Sequence, residues 1–96
     1  MRQILIEKYI KPNEIKATND GTFTERWFNK HGEYHSFMGH PAGVWYDRCG
    51  IVEIQFWCKK DLYHRDKGLP ATIMYYNSKP NLRYYKDGEE IKKINS

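Results

Sequence analysis

His35-Ser36-Phe37-Met38-Gly39-His40-Pro41-Ala42 and His64-Arg65-Asp66-Lys67-Gly68-Leu69-Pro70-Ala71 carry one phrase, H-x-x-x-G-x-P-A, at two places in the chain. The copies lie 29 residues apart, His35 against His64. The register extends beyond the phrase, with Tyr34 on Tyr63, Tyr46 on Tyr75 and Trp27 on Phe56. Carried backwards, it places Pro41 on Pro12 and Gly50 on Gly21. A fixed period of 20–50 residues is the signature of a repeat architecture. The chain therefore reads as three ~29-residue hairpin repeats, at about 12–40, 41–69 and 70–96, after an N-terminal strand over 2–10. The first copy is worn and lacks the His and the Ala.

Between the phrases the chain reads as strand and turn. Phe23, Glu25 and Trp27 alternate with Thr22, Thr24, Arg26 and Phe28, the period-2 pattern of a pleated strand rich in threonine and aromatics. Ile51 to Trp57 alternates in the same way. Asp20-Gly21 predicts a type I′ hairpin turn, and Gly50 the left-handed position of the next turn. Asn77-Ser78-Lys79-Pro80 and Lys86-Asp87-Gly88 supply further turn chemistry. No capping residue is followed by a 3.6-residue apolar period. The expected fold is all-β: an antiparallel meander of about seven strands, either an open twisted sheet or a half-barrel, in a single domain over residues 1–96. The tail from Glu89 to Ser96 reads as one last short strand.

Composition agrees with a thin structure. Much of the apolar content is aromatic, eight Tyr, four Phe and three Trp, while mean hydropathy is −0.88. Tyr and Trp pair an apolar body with a polar tip and suit half-exposed sheet faces. A net charge of +4 permits an anionic partner without requiring one. Cys49 and Cys58, at opposite ends of one expected strand, are too far apart to bridge, so free thiols and a reducing compartment are expected. The N-terminus has neither the apolar stretch nor the cleavage site of a signal peptide, and no apolar run is long enough to cross a bilayer. A cytoplasmic protein without membrane association is expected.

The recurring residues have physical roles to fill. Gly39 and Gly68 allow a bend before Pro41 and Pro70, and Ala42 and Ala71 are small where backbone approaches closely. A structural device recurs in every unit, so His35 and His64 are expected to fold back and hydrogen-bond loop backbone. The alternative is that both imidazoles face one groove and meet a ligand. The second phrase, H-R-x-x-G-x-P-A from His64 to Ala71, with Gly32-x-x-His35 in the first, resembles the G-x-x-H-R-x-x-G-P-A repeat of small phage and large-virus proteins. One residue stands between Gly68 and Pro70, and Ser36 replaces the Arg in the first copy. These units are similar to MORN repeats, aromatic- and Gly-rich hairpins stacked in one sheet. The resemblance implies a phage-type protein that binds without catalysis, and small phage proteins often inhibit a host factor.

Catalytic and metal chemistry find little support. His31, His35, His40, Cys49, Cys58 and His64 have no metal-finger spacing. Ser36 and Ser78 lack a nucleophile elbow, leaving only Cys58 with His64, or His35, His64 and Lys67, as candidate acid–base groups. No metal, cofactor or enzymatic activity is expected. The residues assigned to partner binding are Arg26, Phe28, Trp45, Trp57, Arg65, Tyr75, Arg83 and Tyr85, read as one aromatic and basic sheet face. The expected partner is a host protein, bound and inhibited as an anti-defence or takeover step. The alternative is RNA, single-stranded DNA or a nucleotide stacked on the same aromatics. Edge strands could also pair two copies into a homodimer.

Overall fold

The computed structural model describes residues 11–91, and all regular structure among them is strand. The strand expected over 2–10, and the tail beyond Ile91, lie outside the described residues. The elements are β1 (Glu14–Ala17), β2 (Phe23–Arg26), β3 (Gly43–Tyr46), β4 (Val52–Phe56), β5 (Cys58–Lys59), β6 (Leu62–Tyr63), β7 (Thr72–Tyr76), β8 (Lys79–Lys86) and β9 (Glu89–Ile91). Seven of them form one antiparallel sheet in the order β1-β2-β3-β4-β7-β8-β9, while β5 and β6 pair as a small separate hairpin. The sheet is open and does not close into a barrel.

Turn chemistry sets this order. Three-residue turns join β1 to β2 and β3 to β4. Gly21 N–H donates to Thr18 C=O and Gly50 N–H to Asp47 C=O, with φ of 94° and 81° at the glycines. The Asp20-Gly21 turn is thus not type I′, which needs two consecutive left-handed residues. Only Gly21 is left-handed there, and the Asp20 carboxylate instead accepts from Thr18 and Thr22. Paired left-handed residues occur at Lys60-Asp61, Asn77-Ser78 and Asp87-Gly88, closing the tight β5–β6, β7–β8 and β8–β9 hairpins.

The register sorts side chains onto two faces, because directly opposed residues on antiparallel strands share a side. Arg26, Gly43, Phe56, Thr72 and Arg83 form one row across β2, β3, β4, β7 and β8. Thr24, Trp45, Ile54, Met74 and Asn81 form the next row on the same face. Glu25, Val44, Gln55, Ile73 and Leu82 lie opposite. The alternation expected for β2 and β4 is therefore the alternation observed.

Phe56 is the hub of the first face. Its ring lies flat on the backbone of β3 because its partner there is Gly43. A Cβ at Gly43 would stand 2.2 Å from Phe56 Cζ. Tyr34, Trp45 and Tyr63 meet the same ring edge-on, with centroids 5.2, 6.2 and 5.9 Å away. Such edge-to-face pairs each add about 0.5–1.5 kcal/mol beyond burial.

The two His-containing loops are built on the same backbone bonds. Trp27 N–H donates to Ala42 C=O and Trp57 N–H to Ala71 C=O, while Trp27 and Trp57 C=O accept from His35 and His64 N–H. Ala42 and Ala71 N–H donate in turn to Phe56 and Arg83 C=O. Each alanine is locked between two neighbouring chains and fully buried, which explains its size. The residue equivalent to Trp27 is thus Trp57, not Phe56. The first loop turns through Lys30-His31-Gly32 and the second through Lys60-Asp61, one residue fewer. Among the described residues this pattern occurs in these two loops.

Gly43→Ala should destabilise the protein by about 1–3 kcal/mol, the usual cost of overpacking. A thermal melt reads this as a lowered Tm. Adding Phe56→Leu should recover part of the loss, and an unchanged Tm in the single variant would show that the ring does not need the bare backbone.

Candidate functional site

Phe28, Tyr34, Phe56, Tyr63 and Tyr85 run across the first face as a chain of touching rings, with successive centroids 5.0, 5.2, 5.9 and 5.0 Å apart. Beside them a pocket of about 330 Å³ opens between Trp45, Ile54, Tyr63 and Met74, with Thr72 and Phe56 at its floor. Trp45 and Tyr63 are 36% and 41% exposed at its rim. The fold produces this by geometry. The β5–β6 hairpin brings Tyr63 over Phe56, and the bridge between Phe28 and Tyr34 brings Tyr34 to its other side. The sheet supplies the floor from β4 and β7. Preformed concavities with an apolar floor and polar rim are where side chains of a partner lodge.

Five of the eight residues assigned to partner binding come together here: Arg26, Phe28, Trp45, Arg83 and Tyr85. The other three do not. Tyr75 alternates with Met74 and points to the opposite face. Trp57 follows Phe56 and also turns away, where it is buried and its indole Nε1 donates to Gly39 C=O at 2.9 Å. Arg65 goes with it, its guanidinium carbon 3.8 Å from the centre of the Trp57 ring. Tyr34 and Tyr63 were not among the assigned residues, although each directly precedes a repeated His. Ile54 and Met74 carry no such signal, because only strand pairing brings them beside Trp45.

The face is aromatic, and its two arginines are paired with carboxylates. Arg26 donates to Glu14 at 3.2 Å, and Arg83 stands 3.6 Å from Glu90. Lys16 shares the face, and Asp61 lines its pocket. Lys79, opposite Tyr76, shares it too, so four cations, Lys16, Arg26, Lys79 and Arg83, stand with three carboxylates, Glu14, Glu90 and Asp61.

His64 is the fixed point of the second loop. It is buried, its Nδ1 accepts from Asp87 N–H at 2.9 Å, and its Nε2 faces Asp66 Oδ1 at 3.0 Å. The Asp87 carboxylate lies 3.3 Å from the same Nδ1, so two carboxylates flank the ring. The ring therefore ties its loop to the β8–β9 turn. His35 does the same more loosely, accepting from Lys60 N–H at 3.3 Å. The two imidazoles also line one cleft, together with Lys67. Both ring nitrogens of His64 are engaged, so it offers no free base to Cys58 or to an RNA hydroxyl.

Cys49 and Cys58 are free thiols, the first exposed and the second buried. Cys49 lies in the β3–β4 turn and Cys58 opens β5, so they are not the two ends of one strand. Burial, with Asp61 nearby, pushes the Cys58 thiol up to about 12. Among the described residues no three His, Cys, Asp or Glu side chains gather as a metal site. No helix among them is long and apolar enough to cross a membrane. No protein-family model matches the chain, and no curated protein or solved structure matches it.

His64→Ala leaves the Asp87 N–H without its partner and should cost about 1–3 kcal/mol. His35→Ala, with a longer bond and a more exposed ring, should cost less, as paired denaturant titrations would show. At pH 8 one thiol per folded chain, Cys49, should react with iodoacetamide, and the second only on unfolding. The Cys58 proton is held more tightly folded than unfolded, where 9.0 is the ordinary value. This contribution is complete below pH 9.0 and is lost as pH rises towards 12. Cys58→Ala should flatten that alkaline decline, and an unaltered slope would contradict the assignment.

Proposed function

We propose that the protein acts by binding, without catalysis, and that its partner is another protein received on the aromatic face. The observation that carries the reading is the open pocket between Trp45, Ile54, Tyr63 and Met74 on a face whose two arginines are held by Glu14 and Glu90. Exposed aromatic residues around a preformed pocket are the usual centre of a protein interface. A nucleic-acid face of this size needs uncompensated cations to meet phosphates. Arg26 and Arg83, assigned to that task in the sequence, are both engaged by carboxylates. The resemblance to phage repeats extends the proposal: the partner is a host protein in the host cytoplasm, and binding inhibits it. That extension rests on the phrase from His64 to Ala71 with Gly32-x-x-His35 in the first copy.

The test is a pull-down of the tagged protein from host lysate, with and without nuclease, beside a Trp45→Ser variant. A stoichiometric protein band that survives nuclease and disappears with the variant is expected. Loss of a central aromatic anchor costs about 2 kcal/mol or more, roughly thirty-fold in affinity. A high 260/280 nm absorbance ratio, with bands that vanish on nuclease treatment, would overturn the proposal in favour of nucleic acid.

A further inference from the structure

Part of the net charge of +4 gathers away from the aromatic face. A second cleft, of about 440 Å³, opens where the two His-containing loops meet at the end of the sheet. Its volume lies within the range of small-ligand sites. Lys59, Arg65 and Lys67 line it with His35, Ser36 and Trp57. The one carboxylate on its wall, Asp66, faces His64 Nε2. Among the described residues no carboxylate lies within ion-pair distance of Arg65, Lys59 or Lys67.

Arg65 is held ready. Its plane rests on the Trp57 ring, and one terminal nitrogen, Nη1, donates to Pro70 C=O at 3.1 Å. Trp57 is itself fixed by its bond to Gly39 C=O. The opposite edge of the guanidinium, Nε and Nη2, has no partner among the described residues. That edge is the fork that grips two oxygens of a carboxylate or phosphate at once. Partial burial lowers the Arg65 pKa, the sign of a cation with no compensating charge beside it.

We infer that this cleft is an oxyanion site, in which the free edge of Arg65 grips the carboxylate or phosphate of a small organic anion while Lys59 and Lys67 supply charge. The body of the ligand lies against Leu69 and the loop wall. The site is separate from the aromatic pocket, so either proposal can fail without the other.

The experiment titrates phenyl phosphate and, in a second arm, benzoate into the whole protein at low salt. The Trp57 indole N–H resonance is the reporter. A saturable shift is expected with at least one probe, and the tighter one identifies the anion as phosphate ester or carboxylate. Arg65→Lys keeps the charge but loses the fork, and should bind roughly five- to ten-fold more weakly with its fold intact. Should that variant fail to fold, Lys67→Gln, at an exposed position, decides: it should weaken binding roughly three-fold as one cation is removed. A shift that stays linear for both probes, or affinity unchanged in the folded variants, overturns the inference.

Discussion

The contact between the Phe56 ring and the bare backbone of Gly43 is what the rest of the structure depends on. A single layer of sheet has no opposing layer to bury its aromatics. Here one ring is sunk onto the sheet itself, into the space a side chain would fill, and becomes the floor on which other rings stand. Tyr34 and Tyr63 then close over it from hairpins on either side. Among the described residues the buried ones are correspondingly few: Trp27, Ala42, Gly43, Val44, Phe56, Trp57, Cys58 and Ala71, with His64 and Thr72. With so little apolar area removed from water, backbone bonds carry much of the specification, and the two His-containing loops provide them.

Those loops convert sequence repetition into geometry. Each begins at a Trp whose N–H and C=O are both spoken for, passes through a tight hairpin, and returns through a His whose ring reaches forward to a later turn. The loop ends at an alanine held between two chains. Stacking two such loops side by side produces the cleft between them, and the hairpins they contain produce the aromatic pocket on the other side. Structure and candidate sites thus come from the same device.

Much of this was legible in the sequence. The alternation of β2 and β4 and the Gly50 turn follow from residue type and spacing, whereas His35 and His64 bond the backbone of a later turn rather than folding back on their own loops. What was not legible depends on pairing across the sheet. Trp27 matches Trp57 rather than Phe56 because the first hairpin carries an extra residue, and a fixed offset hides such an insertion. The β5–β6 turn has left-handed residues at Lys60 and Asp61 with no glycine to signal it. The engagement of Arg26 and Arg83 depends on Glu14 and Glu90, which only strand pairing brings beside them. The assigned face split for the same reason: Trp57 and Tyr75 each have the wrong parity.

In the proposed function the Trp45 face, and not its reverse, receives a protein. Ile73 and Met74 are neighbours in β7 on opposite sides of the sheet, so they report the faces separately. A photo-crosslinking amino acid placed at either position, irradiated in host lysate, tests the claim most directly. A discrete protein adduct is expected from position 74 and none from position 73. An adduct from position 73 alone, or an adduct that nuclease digests, would contradict it.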